Sequence, residues 1–225
     1  MLEDRLIAEE MMDADDLSEA TYIDVVRDLA KVNRITRAHA PTLRFIERIA
    51  AKRPIKVLDV GFGDGDMLRA IHNHLGKRQL EAELVGIDLN PRSLAAAQAS
   101  SSQGIDYRIG DYADLAGEGW DCIISSLVAH HMTHAQLVAF IGFMEREAAA
   151  GWFINDLHRH GFAYMGYPLL AKLMRWHSIV RHDGRMSIAR SYRPAEWGPI
   201  LAEAGVDDAR IYRAFPFRLC VERVR

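Results

Sequence analysis

Cysteine is scarce in this 225-residue chain: Cys122 and Cys220 lie far apart, each inside an apolar run, with no CxxC spacing. That argues against a disulfide framework and a thiolate metal site, and suits two buried, reduced thiols in a cytoplasm. Seven prolines and sixteen glycines exclude collagen-like and low-complexity classes. No apolar run reaches bilayer length, and the longest, around Tyr164–Met174, contains Lys172. The first sixteen residues carry Glu3, Asp4, Glu9, Glu10, Asp13, Asp15 and Asp16, not the basic-then-apolar order of a signal peptide. Neither charge dominates: 28 Lys+Arg against 31 Asp+Glu give −3, so no positive field draws in nucleic acid. What is plentiful is core. With 49% hydrophobic residues, a chain of this length buries about 70% of its unfolded surface as one soluble domain.

Hydrophobic periodicity gives the architecture. Residues 21–38 place Ile23, Val25, Val26, Leu29, Ala30 and Val32 at helical spacing, and a second helix starts near Pro41 with Leu43, Phe45, Ile46 and Ile49 on one face. From there short β-branched runs alternate with helical patterns. Strands are expected at Ile55–Val60, Leu84–Asp88, Ile105–Ile109, Asp121–Ser125 and Gly151–Leu157, with helices at Asp66–Leu75, Ser93–Ser101 and Ala135–Ala149. After a helix at Pro194–Ala204, strands Ala209–Arg213 and Arg218–Arg223 are so close that only a hairpin joins them. The expectation is an α/β chain with a parallel sheet, its last strand antiparallel, and an N-terminal helical extension over residues 1–52 ahead of one compact unit at 53–225.

The sharpest motif is Asp59-Val60-Gly61-Phe62-Gly63-Asp64-Gly65-Asp66, which leaves the first strand and opens a helix. Gly61, Gly63 and Gly65 permit a tight turn and close approach of a ligand to bare backbone. The spacing is G-x-G-x-G, not the dinucleotide G-x-G-x-x-G. Asp59, Asp64 and Asp66 would repel a pyrophosphate but suit a ligand bearing an ammonium and a sulfonium. Asp88 ends the second strand, where a carboxylate accepts two ribose hydroxyls, and Asn90-Pro91 already supplies the following helix start. Asp111 and Tyr112 follow the third strand. Asp111 accepts from an adenine amino group or closes an Asx turn, while Leu89 and Tyr112 sandwich the ring.

At these residues the chain resembles the class I S-adenosylmethionine-dependent methyltransferases. The resemblance implies a Rossmann-like seven-stranded sheet, six strands parallel and the last antiparallel, with S-adenosyl-L-methionine across the strands' carboxyl ends. It places Gly61, Gly63 and Gly65 beneath the methionine moiety, Asp59 near its amino group, Asp88 on the ribose, and Asp111 with Tyr112 at the adenine. Ser126, after the fourth strand, joins the expected cofactor contacts. Phe62 departs from the small or polar residue commoner in that loop.

Two histidine clusters follow the fourth and fifth strands: His130-His131 with His134, and Asp156-x-His158-x-His160. Strand carboxyl ends line ligand crevices in such sheets, and histidine titrates where a base for a phenol should. His131 or His158, with Asp156 orienting the imidazole, is the expected base. His130 and His160 are expected against the substrate, although the double-His run also resembles a segment bordering the cofactor in ubiquinone- and menaquinone-type methyltransferases. Asp156, His158, His160 and His131 offer suitable metal ligands, but methyl transfer needs none and none is expected. Residues 161–176, with Tyr164 and Trp176, are expected to form a lid over a flat or lipophilic acceptor. Residues 181–193 are basic and turn-containing, and either bind an anionic substrate group or form a solvated loop.

A nucleic-acid acceptor is disfavoured, because Ser125-Ser126-Leu127-Val128 stands where an N/D-P-P-Y/F tetrapeptide would. The expectation is O-methylation of a small phenol or quinol by a cytoplasmic monomer or homodimer. N- or C-methylation of a small molecule, and a non-catalytic cofactor-fold assembly protein, are the alternatives.

Overall fold

A computed structural model describes residues 2–14, 16–100 and 104–225. Helices α1 (Glu19–Ile35) and α2 (Ala40–Ala50) precede β1 (Ile55–Val60), α3 (Asp66–Gly76), β2 (Ala82–Asp88), α4 (Pro91–Ala99) and β3 (Ile105–Ile109). Then come β4 (Cys122–Ser126), α5 (His134–Glu147), β5 (Gly151–Leu157), α6 (Gly161–Leu173), α7 (Ser178–Arg190), α8 (Pro194–Glu203), β6 (Arg210–Ala214) and β7 (Arg218–Val224). The predicted end of the fourth helix, Ser101, lies outside the described residues.

The seven strands form one sheet in the order β3-β2-β1-β4-β5-β7-β6. β7 runs antiparallel to both β5 and β6, so the other six share one direction. The strand order reverses between β1 and β4, and that reversal opens a crevice at their carboxyl ends. Alternation sends neighbouring side chains to opposite cores. Val57, Ile124 and Phe153 meet α2 and α3, whereas Leu58, Ile123 and Trp152 meet α5 and α8. Phe45 of α2 stacks on Phe153 at 5.0 Å, so the N-terminal residues share a core with the sheet.

Residues 181–193 correct the sequence expectation: most of them are helix α7, not a loop. Gly184 and Asp183 suggested a turn, yet a Cβ on Gly184 would sit 2.2 Å from the Tyr167 ring. Helix propensity disfavours glycine by about 1 kcal/mol, and close packing of α6 on α7 overrides that preference. Trp176, expected against the substrate, is instead buried in a cluster with Val25, Ala171, Ile179 and Val180.

Residues 5–13 cross the crevice as a strap. Arg5 stacks on the Tyr192 ring at 3.8 Å and donates to the Arg190 and His130 carbonyls. The amides of Met11 and Met12 donate to the buried Asp183 carboxylate at 3.1 and 2.9 Å.

Candidate active site

One cavity of about 420 Å³ runs from the glycine loop to the strap, between the sheet's carboxyl ends and α1, α6 and α7. Gly61, Gly63 and Gly65 all have positive φ, at +81°, +58° and +77°. Their reasons differ. A Cβ on Gly61 would lie 2.4 Å from Val128 and one on Gly65 2.4 Å from the Tyr107 hydroxyl, while one on Gly63 meets nothing within 4 Å. Gly61 and Gly63 line the cavity. Gly65, expected beneath a ligand, is absent from that lining and lets the start of α3 approach β3.

The three loop carboxylates are also unequal. Asp64 is held by Arg69, at 2.8 Å from its Nη2, and Asp66 by Asn33 and His39 at 3.0 and 2.9 Å. Asp59 is almost fully buried, and its Oδ1 has no hydrogen-bond partner among the described residues. Burial, reinforced by Asp66 and Asp88, pushes its carboxyl up to about 8. A second orphan faces the same cavity: Arg218, at the start of β7, is buried with its Nη1 unpaired. Desolvation lowers its pKa, partly countered by Asp156, Cys220 and Asp66 at longer range. Nothing in the sequence marked Arg218. An unpaired cation and an unpaired carboxylate in one pocket call for a zwitterion.

Asp88 accepts from the amides of Gly63 and Asn90 at 2.9 and 2.8 Å, which orients its carboxylate at the cavity edge. Leu89 lines the same edge at 73% exposure, and Tyr112 lies there against Phe140 and Phe143. Ser126 also lines the cavity, its hydroxyl donating to the Asn155 carbonyl. Asp111 does not line it: the exposed side chain accepts from the Ala113 amide and caps a short 3₁₀ turn. Of its two readings, that geometry fits the Asx turn.

At the other end the histidines separate into distinct environments. His130 is buried between Asp156, whose Oδ1 is 2.7 Å from Nδ1, and Glu10, 3.6 Å from Nε2. Burial alone would depress its pKa, but the two carboxylates prevail and push it up to about 9, so it is an imidazolium at neutral pH. His131 is partly exposed and lines the cavity, with Nδ1 3.2 Å from Asp13 and Nε2 3.8 Å from Glu10. Glu10, Ser187 and Arg190 complete this end: Ser187 donates to Glu10 at 2.8 Å, and Arg190 lies 3.3 Å from it. Glu10, His130 and His131 are near enough together to hold a metal ion. The imidazolium and the Arg190 guanidinium already neutralise the carboxylate there.

The pairing expected between Asp156 and His158 does not form. Asp156 bonds His130, from 26 residues away. His158 lies past the end of β5, where its amide donates to the Phe217 carbonyl. Desolvation, with His160 and the arginines 213, 193 and 159, lowers its pKa to about 4. Neither His158 nor His160 lines the cavity; His160 stacks between Phe162 and Phe217. Tyr164 also lies outside, under Arg185 at 4.3 Å. Glu10 was missed because an acidic N-terminus carries no local signal of where it will dock.

Residues 57–150 match the methyltransferase domain family. The ubiquinone biosynthesis O-methyltransferase of Chromobacterium violaceum is 30% identical over 171 residues, covering 73% of this chain and 69% of that protein. The chain belongs to the class I S-adenosylmethionine-dependent methyltransferases. The trans-aconitate 2-methyltransferase of Mycobacterium ulcerans is 34% identical over 100 residues, 44% of this methyltransferase and 35% of that one. Two solved structures have the same fold at low identity. Human N-acetylserotonin methyltransferase with SAM superposes with a TM-score of 0.65 at 13% identity, over 92% of this chain and 56% of that one. The plantazolicin methyltransferase with a triazolic analogue and SAH gives 0.65 at 15%, over 95% and 92%.

Proposed function

We propose that this methyltransferase methylates a phenolic or enolic hydroxyl on a flat, lipophilic small molecule, with His131 accepting the hydroxyl proton. The observation that carries this reading is the far end of the cavity. Val25, Val26 and Leu29 of α1, Val180 and Ile188 of α7, and Tyr167 of α6 give it apolar walls, and it ends at His131. Such walls take up a lipophilic body, and a single polar corner orients its hydroxyl. His131 is the histidine at that corner, and Glu10 and Asp13, within 4 Å of its two ring nitrogens, would stabilise the cation formed when it accepts the proton.

The residues at the near end fit the family's cofactor. When bound, S-adenosylmethionine supplies an electrophilic methyl group on a sulfonium. Asp59 would hold the amino group and Arg218 the carboxylate of its methionine moiety, so that each buried side chain gains from the ligand the partner it lacks. Asp88 would accept from the ribose hydroxyls, and Leu89 and Tyr112 would flank the adenine. These residues fix the cofactor's orientation, and the walls of α1 and α7 exclude water from the acceptor.

Incubation with isotopically labelled cofactor and a panel of phenols, with and without alkyl chains, tests the reading. The expected product carries the label on oxygen and forms faster with the longer chains. Label on carbon or nitrogen, or no phenol methylated, overturns it.

A further inference from the structure

The outer side of α6 has no covering element among the described residues. Phe162, Met165, Leu169 and Leu173 recur at helical spacing along it and are 75%, 76%, 73% and 76% exposed. The stripe continues onto the β6–β7 turn. His160 stacks on Phe162 at 5.6 Å and on Phe217 at 5.2 Å, and Phe215 is 88% exposed. A contiguous apolar patch of this kind marks an interaction surface.

The charge around it identifies the occupant. Residues 157–182 contain no Asp or Glu, and neither do residues 209–221, although the whole chain is net acidic. Lys172, Arg175 and Arg213 are exposed beside the apolar stripe. A second copy seated through a twofold axis would set these two cationic segments against each other, with no carboxylate in either to pair. An anionic bilayer complements both features: acyl chains receive the aromatic and aliphatic tips, and headgroups receive the cations. No helix among the described residues is long and apolar enough to cross a membrane, so contact is with the surface. α6 also carries Tyr167 on its inner side, in the wall of the acceptor cavity. One helix therefore separates the patch from the chamber.

We propose that α6 and the β6–β7 turn dock this methyltransferase on an anionic lipid surface. This inference goes beyond the reading of the acceptor and does not depend on it.

Co-sedimentation of the full chain with phosphatidylcholine vesicles, and with mixed phosphatidylcholine–phosphatidylglycerol vesicles, tests it. The protein is expected to pellet with the mixed vesicles at low salt and to remain in solution with phosphatidylcholine alone. Phe162→Glu with Leu169→Glu should lower vesicle partitioning by at least tenfold while SAH binding and the circular dichroism spectrum stay unchanged. Lys172→Gln and Arg175→Gln should each lower it about fivefold, and added salt should do the same. If the native chain fails to pellet with mixed vesicles, or the Phe162/Leu169 variant pellets equally, the proposal is overturned. It is equally overturned if light scattering finds a dimer that this variant dissociates, because the face is then a subunit contact.

Discussion

The two ends of the cavity are built by different means. The proposed cofactor end comes mostly from short stretches, residues 59–66, 88–89 and 112, at and just after the ends of β1, β2 and β3, with Arg218 added from β7. The acceptor end is assembled from distant parts: Glu10 of the strap, His131 after β4, Asp156 of β5, and Ser187 and Arg190 of α7. Local backbone geometry defines most of the first, and long-range packing the second. Substitutions should therefore act differently at the two ends.

The largest expected effect is at the acceptor end. Asp156→Ala removes the partner of a buried imidazolium and two backbone hydrogen bonds, and should cost about 3–5 kcal/mol of stability in denaturant unfolding. The same ion pair sets a pH signature. His130 has a folded pKa of about 9, above its ordinary value of 6.5. Its contribution is fully present below pH 6.5 and is lost as pH rises through 9. Native protein should lose stability across that window, and Asp156→Ala should lack the loss.

At the cofactor end the effects should fall on affinity instead. Arg218→Met should weaken SAH binding by about 1.5–3 kcal/mol in calorimetry, the value of a charge-assisted pair. Its affinity for 5′-methylthioadenosine, which lacks the amino acid end, should not change. Asp88→Ala should weaken both ligands by about the same 1.5–3 kcal/mol. Equal losses for both ligands in Arg218→Met would show that the residue supports the fold and not the carboxylate.

A pH effect of similar size falls on the same end. Asp59 has a folded pKa raised to about 8 from 3.8, so in the free protein its contribution to stability is present below pH 4 and lost as pH rises through 8. An ammonium ligand needs the ionised form. SAH affinity should therefore rise with pH between 6 and 8 by up to about tenfold per unit, and Asp59→Asn should flatten that dependence. Confined to stability should be Gly184→Ala, which must displace the Tyr167 ring; an overpacking cost of about 1–3 kcal/mol should appear in unfolding, with SAH binding intact.

The same division governs what was legible in the sequence. The strands, their order of appearance and the final hairpin follow from hydrophobic period, and the glycine loop and Asp88 from residue type and spacing. Spacing alone does not separate ligand approach from Tyr107 packing at Gly65. Asp111 closes its own turn, a local competition that the motif left open. Glu10 and Arg218 have no local signal; only docking of the strap and the antiparallel placement of β7 bring them to the cavity. Two residues apart at the end of β5, Asp156 and His158 suggest a pair, yet the carboxylate finds His130 across the β4–β5 edge. Helix α7 was hidden by Gly184, whose reason lies on α6.

In the proposed reaction His131 deprotonates the acceptor. A phenol of pKa about 10 is ionised to only about one part in a thousand at pH 7, and a positioned base recovers about 10²–10⁴ in rate. The most direct test compares turnover of native protein and His131→Ala across phenols of falling pKa, with SAH affinity measured alongside. The account predicts a loss of about 10²–10⁴ for the least acidic phenol that shrinks toward none for those already ionised, at unchanged SAH affinity. A loss of one constant factor across the whole series, or no loss at all, would contradict it.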